Sequence, residues 1–312
     1  GVIYGGDSSE REVSINSGKA IINACKKLGH TVQGFDGFEP SKRRLIFDQK
    51  FDFIFIALHG TDGEDGFIQA IFEKRKIKYN GSRTSSSIDC FSKNITKHLA
   101  LENDILTPKW LEGNLFDYNN CDWEKETNRL IDFHNGFYGE EEDRFIVVKP
   151  SHQGSSIGVS VVRDFKSLHS AIDNAIQYGM FIIEKYISGR EITVSILGNE
   201  PLPVIEIKPH SNVYDYKSKY TIGESDYICP ADIDEALTKK IQETALKVHN
   251  VLGCEVYSRV DFRLDKNNKF WLLEINTLPG MTETSLFPMA AKAVGLSFED
   301  LIDKIIKLSL EK

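Results

Sequence analysis

Two short stretches decide how this chain folds: Arg259-Val260-Asp261 and Glu274-Ile275-Asn276. They lie on runs 256–265 and 270–276, which read as β-strands joined by the polar turn Lys266-Asn267-Asn268-Lys269. A short hairpin loop fixes the register. The expected pairs are Asp265 with Phe270, Leu264 with Trp271, Phe262 with Leu273, Asp261 with Glu274, Val260 with Ile275 and Arg259 with Asn276. Successive side chains on a strand point to opposite faces, so one face is apolar and the other carries Arg, Asp, Glu and Asn. Like charges directly opposite destabilise a strand pair. A divalent cation between them reverses that sign, and hard oxygen donors of this kind suit Mg²⁺ shared with substrate phosphates. The plainer alternative is a hairpin with one solvated face.

Composition bounds the reading from outside the motif. A chain of 312 residues can bury a substantial core, and that length suggests roughly two or three domains. The net charge of −8 argues against a nucleic-acid surface, which carries a basic stripe; it leaves room for small anionic ligands in one cationic cleft. Cys25, Cys90, Cys121, Cys229 and Cys254 are scattered with no Cys-x-x-Cys pair, which fits a reducing cytoplasm better than a disulfide framework or structural zinc. The longest apolar run, 53–58, is too short to span a bilayer, and no secretory leader is visible. The chain opens on Gly1-Val2-Ile3-Tyr4, already a strand pattern, which leaves room for residues upstream of Gly1.

Along the chain, the first third alternates strand and helix. Residues 2–4, 31–35 and 53–58 read as strands, the last a continuous apolar run as in a buried parallel strand. Ser9-Glu10-Arg11-Glu12 has capping-box spacing for a helix to about Leu28. Residues 66–75 read as a helix and 77–79 as a short strand, completing a small doubly wound α/β unit. From about Ser92 the pattern changes: helices are expected over 93–102 and 165–178, and strands over 145–148, 159–162 and 181–186. Residues 118–143 are polar and poorly periodic and end in Glu140-Glu141-Glu142-Asp143, the mark of a solvated insertion. Strands at 192–197 and 204–208 then precede a loop running through Pro230, a length that is usually functional or disordered. Helices are expected over 233–252 and 298–308.

Lys149, at a strand end, is followed by Pro150-Ser151-His152-Gln153-Gly154-Ser155-Ser156-Ile157-Gly158. Small residues let backbone N–H groups approach phosphate oxygens, and the lysine adds a point charge. No Walker A loop or Gly-x-Gly-x-x-Gly fingerprint occurs. Together with the carboxylate hairpin and Glu184-Lys185-Tyr186-Ile187, with Glu191 beyond, this segment resembles the ATP-grasp arrangement. The resemblance narrows to the D-alanine–D-alanine ligases on Gly5-Gly6-Asp7-Ser8-Ser9-Glu10-Arg11-Glu12-Val13-Ser14, Leu58-His59-Gly60 with Gly63-Glu64-Asp65-Gly66, and Lys149-Pro150 through Gly158. It continues in Tyr214-Asp215-Tyr216-Lys217-Ser218-Lys219-Tyr220, similar to that family's closing loop. It ends in Glu274-Ile275-Asn276-Thr277-Leu278-Pro279-Gly280-Met281-Thr282 with Ser285-Leu286. These signatures fall in the family's order and span 5–308, with 111–143 lacking a clear match.

The resemblance implies an α/β N-terminal doubly wound domain plus two α+β subdomains forming an ATP-grasp fold, divided at 1–92, 93–189 and 190–312. It implies ligation of D-alanine to D-alanine through an acyl phosphate, with ATP and a pair of Mg²⁺ ions (Mn²⁺ as the alternative), for peptidoglycan precursors, in a cytoplasmic homodimer. Carried over by position, Glu10 would bind the first substrate's ammonium, supported by Ser155 and Tyr220, and His59, held by Glu64, would stand near its carboxylate. Lys93, Lys149 and Ser156 would meet ATP phosphates, with Lys219 reaching the γ-phosphate. Glu184, Lys185, Ile187 and Glu191 would hold adenine and ribose. Asp261, Glu274 and Asn276 would bind metal. Arg259 and the Gly280 N–H would stabilise the oxyanion, and Ser285 and Leu286 would receive the second carboxylate.

Each residue also has an ordinary structural reading: Lys93 a solvated helix lysine, His59 a turn residue, Tyr220 a core aromatic, Ser285 an N-cap, Glu10 a partner of the helix dipole, Arg259 a neutraliser of the hairpin. Three rival functions stand beside the ligase. Another ATP-grasp carboxylate–amine ligase would not need Glu10, His59 and Tyr220. A D-alanine–D-lactate ligase usually replaces the tyrosine found here as Tyr220. A non-catalytic ATP-sensing module would be expected to lose a metal ligand.

Overall fold

The computed structural model describes residues 1–37, 50–128, 145–210 and 225–312. Near the N-terminus, β1 (Val2–Tyr4) lies between β2 (Gly34–Asp36) and β3 (Phe55–Ile56) in a parallel sheet, with Ile54 bridging to Tyr79 at its edge. Helix α1 (Arg11–Lys27) crosses between β1 and β2. The apolar run 53–58 is buried from Ile54 through Leu58 although only its centre is regular strand. The expected Ser9–Glu12 capping box does not form. Glu10 occupies the N-cap without a side-chain cap bond, and the Glu10 N–H donates to Ser8 Oγ at 3.3 Å. That leaves the Glu10 carboxylate for a different use.

Helices α2 (Phe67–Arg75), α3 (Thr84–Phe91) and α4 (Lys93–Glu102) follow. Ser92 caps α4 by accepting from the Ile95 N–H. Lys93 and Lys97 therefore lie one turn apart on the same helix face. A second, antiparallel sheet has the order β4-β7-β5-β6: β4 (Trp110–Gly113), β5 (Ile146–Pro150), β6 (Ser160–Val162) and β7 (Phe181–Lys185). The expected insertion over 118–143 is thus entered by ordered structure. Edge strand β4 and helix α5 (Leu115–Asn120), opened by an Asn114–Asp117 capping box, precede Trp123, which is buried against Phe181 with ring centroids 5.2 Å apart. Elements this short show no periodicity to read. The Glu140–Asp143 run lies outside the described residues. Helix α6 (Leu168–Ile176) covers this sheet with Leu168, Ala171, Ile172 and Ala175.

The third sheet carries the hairpin: β8 (Arg190–Leu197), β9 (Glu200–Pro201), β10 (Ile205–Pro209), β11 (Ser225–Ile228), β12 (Tyr257–Leu264) and β13 (Phe270–Asn276). Its order is β11-β10-β8-β12-β13, with β9 beside β8. Strand β11 falls inside the long loop expected before Pro230; residues 211–224 of that loop lie outside the described residues. Helix α7 (Glu235–Val251), capped by Asp234, buries Ile241, Ala245 and Val248 against the sheet.

The hairpin pairs Arg259 with Asn276, Val260 with Ile275 and Asp261 with Glu274, as its sequence predicts. Nearer the turn the prediction fails by one residue: Phe262 pairs with Leu272, Arg263 with Trp271 and Leu264 with Phe270. A bulge between Asp261 and Phe262 absorbs the extra residue, a device that re-aims side chains. It has a tertiary cause, because the Leu272 N–H donates to the Leu106 carbonyl at 2.8 Å and the Leu272 carbonyl accepts from Thr107 Oγ1 at 2.9 Å. Leu272 is consequently buried, while Leu273 and Glu274 both line the cleft.

The chain ends with α8 (Leu286–Ala293) and α9 (Phe298–Glu311). Leu301, Ile302 and Ile305 on α9 join the core of the N-terminal sheet, and Lys27 pairs with Glu299 at 2.6 Å. The tail of the chain therefore buries the first sheet. No helix among the described residues is long and apolar enough to cross a membrane.

Candidate active site

The second and third sheets face each other across a cleft. Lys93, Lys149, Ser156, Glu184, Lys185, Ile187, Glu191, Asp261 and Glu274 all line it. Sequence reasoning thus selects residues from α4, β5, β7, β8, β12 and β13 that the fold brings into one cavity. Val147, Val161, Ile187 and Leu273 add apolar wall, which suits a flat heterocycle beside the charges.

Charges in the cleft are already paired. Glu184 is 3% exposed and lies between two lysines: Lys149 Nζ at 2.6 Å from Oε1 and Lys97 Nζ at 2.8 Å from Oε2. Burial raises its carboxyl pKa, but Lys149 and Lys97 outweigh that and hold it below the usual range. Lys97 is completely buried and also donates to Thr107 Oγ1 and the Pro108 carbonyl, both at 2.9 Å. Burial pulls its pKa down to about 8, against the Glu184 charge. Sequence reading missed Lys97, although its spacing from Lys93 marks it as facing the same way.

The β5–β6 turn bends through positive φ at Ser155, Ser156 and Gly158, a conformation unfavourable for side chains other than glycine. Its Gln153 carbonyl accepts from Lys93 Nζ at 2.6 Å, and Lys93 also pairs with Glu274 Oε2 at 3.1 Å. Across the hairpin, Arg259 forks onto Asp261, Nε to Oδ1 at 2.9 Å and Nη2 to Oδ2 at 2.7 Å, while Thr193 Oγ1 donates to Oδ1 at 2.5 Å. The hairpin acids, facing each other in register, are thus each offset by a cation from this chain. In this arrangement Arg259 neutralises the hairpin.

Asn276 Oδ1 accepts from the Leu278 N–H at 2.8 Å, fixing the turn after β13. Among the described residues no three His, Cys, Asp or Glu side chains converge as a cation cage. A donor set of two carboxylates and an amide oxygen instead fits a hard cation that completes its shell with phosphate oxygens and water.

A second cluster lies where the β5–β6 turn meets the N-terminal sheet. Ser155 Oγ donates to Glu10 Oε1, both groups being buried. Gly154 lies so close that a Cβ there would stand 2.9 Å from Glu10 Oε2. His59 is 5% exposed, with Nε2 3.3 Å from Ser17 Oγ and Nδ1 3.9 Å from Glu64 Oε1. At that distance the Glu64 contact is an ion pair rather than a hydrogen bond. Burial lowers the imidazole pKa, but the Glu64 and Glu10 charges outweigh it and leave it above the ordinary value. Burial pushes the Glu64 carboxyl up. Ser17 Oγ also accepts from the Met281 N–H at 3.1 Å, tying this cluster to the segment after the hairpin. There Ser285 Oγ accepts from the Thr282 N–H at 3.1 Å, and a Cβ on Gly280 would stand 3.1 Å from it. Ser285 and Leu286 open α8 as N-cap and first helical residue. Ser17, Thr193 and Gln153 were not foreseen; only Thr193 had a readable signal, standing opposite Asp261 in the β8–β12 register. Lys219 and Tyr220 lie outside the described residues.

Comparison with known proteins agrees along the whole chain. Residues 138–307 match the family model described as D-ala D-ala ligase C-terminus, and 36–82 the one described as D-ala D-ala ligase N-terminus. A protein of Methylacidiphilum infernorum named D-alanine--D-alanine ligase is 42% identical, covering 99% of this chain and 94% of its own length. A protein of Aquifex aeolicus with the same name is 41% identical, covering 98% of each. Among solved structures, a D-alanine--D-alanine ligase from Bacillus anthracis complexed with ATP superposes with a TM-score of 0.82 at 33% identity, covering 99% of this chain and 96% of that one. A D-Ala:D-Ser ligase from Enterococcus faecalis superposes with a TM-score of 0.79 at 28% identity, covering 99% and 98%.

Proposed function

This chain belongs to the D-alanine–D-alanine ligase family, and from that premise we propose that it joins two D-alanine molecules at the expense of ATP, releasing ADP and phosphate, for peptidoglycan precursor synthesis. It is an ATP-dependent ligase with the ATP-grasp fold. The observation that carries the residue assignment is the register of the hairpin: Asp261 opposite Glu274, both lining the cleft that also holds Lys93, Lys149 and Glu191.

In our reading the nucleotide enters the cleft with its base against Leu273 and Ile187, its ribose toward Glu191 and its phosphates toward Lys93, Lys149 and Ser156. Asp261, Glu274 and Asn276 would hold Mg²⁺ or Mn²⁺, which when bound offsets phosphate charge and orients the phosphate oxygens. Glu10 takes the ammonium of the first D-alanine, held in place by Ser155. His59, whose proton Glu64 and Glu10 favour, faces its carboxylate. A carboxylate oxygen attacks the γ-phosphorus, ADP leaves, and an acyl phosphate results. The neutral amine of the second D-alanine, whose carboxylate lies at Ser285 and Leu286, attacks the acyl carbon. Phosphate departs and the nitrogen loses a proton. Two anions meet in the first step, so the cations around the phosphates must offset their repulsion, as in phosphoryl transfer generally. Arg259 and the Gly280 N–H stand for the oxyanion. Lys219 and Tyr220, outside the described residues, keep the roles the family resemblance implies, at the γ-phosphate and beside Glu10.

We further read the chain as three folding units, 1–92, 93–189 and 190–312, and as a cytoplasmic homodimer. The test of the ligase assignment is phosphate release from ATP and Mg²⁺ with D-alanine, with L-alanine, and with D-alanine plus D-serine or D-lactate. Release with D-alanine alone is expected, and its absence removes the assignment. Preferential use of D-serine or D-lactate would move the chain to a sister specificity.

A further inference from the structure

The cation Arg263 lines the cleft and is assigned nothing by the mechanism. Arg263 stands two residues beyond Asp261 on β12 and, by the alternation of that strand, on the same face. It is the direct cross-strand partner of Glu191 on β8. Its Nη2 lies 3.2 Å from Glu191 Oε2, with both side chains less than a fifth exposed, and its Nη1 donates to the Gly189 carbonyl at 3.0 Å. Its guanidinium carbon stands 5.9 Å from the centre of the Tyr186 ring, within the range of a cation–π contact. Arg263, Tyr186 and Glu191 all line the nucleotide cleft. Tyr186 directly follows β7 of the second sheet, whereas Arg263 and Glu191 stand on the third. One guanidinium thus spans the corner where the two walls of the cleft join.

We propose that Arg263 is a positioning residue for ribose recognition: it aims the Glu191 carboxylate into the cleft and locks the 186–189 connection at the angle that receives the sugar. The physical reason is geometric. A carboxylate on a strand has several rotamers of similar energy, and a planar donor fork held at two further points leaves it one. So oriented, the carboxylate would accept from vicinal hydroxyls, which a bare glutamate would meet in many orientations. This inference rests on the nucleotide-cleft reading above but not on the identity of the amino-acid substrates.

The test is calorimetric titration of the intact protein with ADP and with 2′-deoxy-ADP, in Mg²⁺ and without D-alanine. The wild-type protein is expected to prefer ADP by about tenfold, equivalent to ~1.4 kcal/mol. In Arg263→Met the preference drops below about twofold, and Arg263→Lys, which can make one of the contacts, lies between. Adding Arg263→Met to Glu191→Gln costs no further affinity, since both remove the same interaction. A melting curve confirms folding, and Arg263→Lys carries the test if the methionine variant unfolds. Unchanged preference in Arg263→Met, additive losses in the double variant, or a wild-type protein blind to the 2′-hydroxyl would each overturn the proposal. Intact ADP preference with no D-alanine-dependent phosphate release would sink the ligase reading and leave this one standing.

Discussion

In the nucleotide cleft, charged side chains stand on strands and a helix and meet partners of opposite sign: Glu184 with Lys97 and Lys149, Glu274 with Lys93, Asp261 with Arg259, Glu191 with Arg263. Around Glu10 the side chains come instead from loops and helix starts, and besides the His59–Glu64 contact their partners are hydroxyls and backbone groups of Ser155, Ser17 and Gly60. A cleft that must receive a polyanion keeps its cations in place by pairing them with carboxylates until phosphate competes for them. A pocket for a zwitterion needs one anion and one cation at fixed spacing, and here steric fit and donors from hydroxyl and backbone groups hold them. The β5–β6 turn touches both, through Gln153 on Lys93 and Ser155 on Glu10.

If the two regions are separable in this way, variants should divide between nucleotide and amino-acid readouts. The largest effect belongs to Glu274→Gln, which removes a hairpin carboxylate facing the phosphates. Phosphate release should fall by roughly 10³-fold, the scale of a lost electrostatic element, with the melting temperature nearly unchanged. Full activity would refute the metal assignment.

Gly154→Ala comes next, because its methyl would press on Glu10 Oε2. The KM for D-alanine should rise by up to about 10²-fold, the scale of a small misplacement, while ADP affinity measured by calorimetry stays put. A matching loss of ADP affinity would erase the distinction between the regions.

Lys97→Met should weaken ADP binding about tenfold, as for loss of a charged hydrogen-bond partner. Lys97 is protonated below about pH 8 and neutral above it. Wild-type ADP affinity should therefore decline as pH climbs through that value, and the variant should lack the inflection.

The smallest effect is expected from His59→Gln, about fivefold on the KM for D-alanine. The His59 pKa is raised, so its cationic form persists further into the neutral range. The wild-type KM should rise as pH passes that pKa, and the variant's profile should be flat there.

Much of this was legible in the chain. Strand alternation put Asp261, Glu274, Arg259 and Asn276 on one face, and the far half of the hairpin register followed from it. The near half did not, because Leu106 and Thr107 capture the Leu272 backbone from a segment far away in sequence. The capping box at Ser9 misled for a related reason: its spacing is correct, but Glu10 takes the N-cap position and turns its carboxylate to Ser155. Strand β4 and helix α5 were missed because so few residues carry no period.

Residue order alone therefore settled which side chains share a face, which loops are small enough to approach phosphate, and which signatures follow one another. Those properties arise from backbone geometry over a few residues. Only the folded chain decided that Glu184 would lie between Lys97 and Lys149, that Leu273 would turn into the cleft, and that Arg263 would reach Glu191 and Tyr186. Ion pairing and burial act through space and depend on which distant segments arrive within a few ångströms, a quantity that no local pattern encodes.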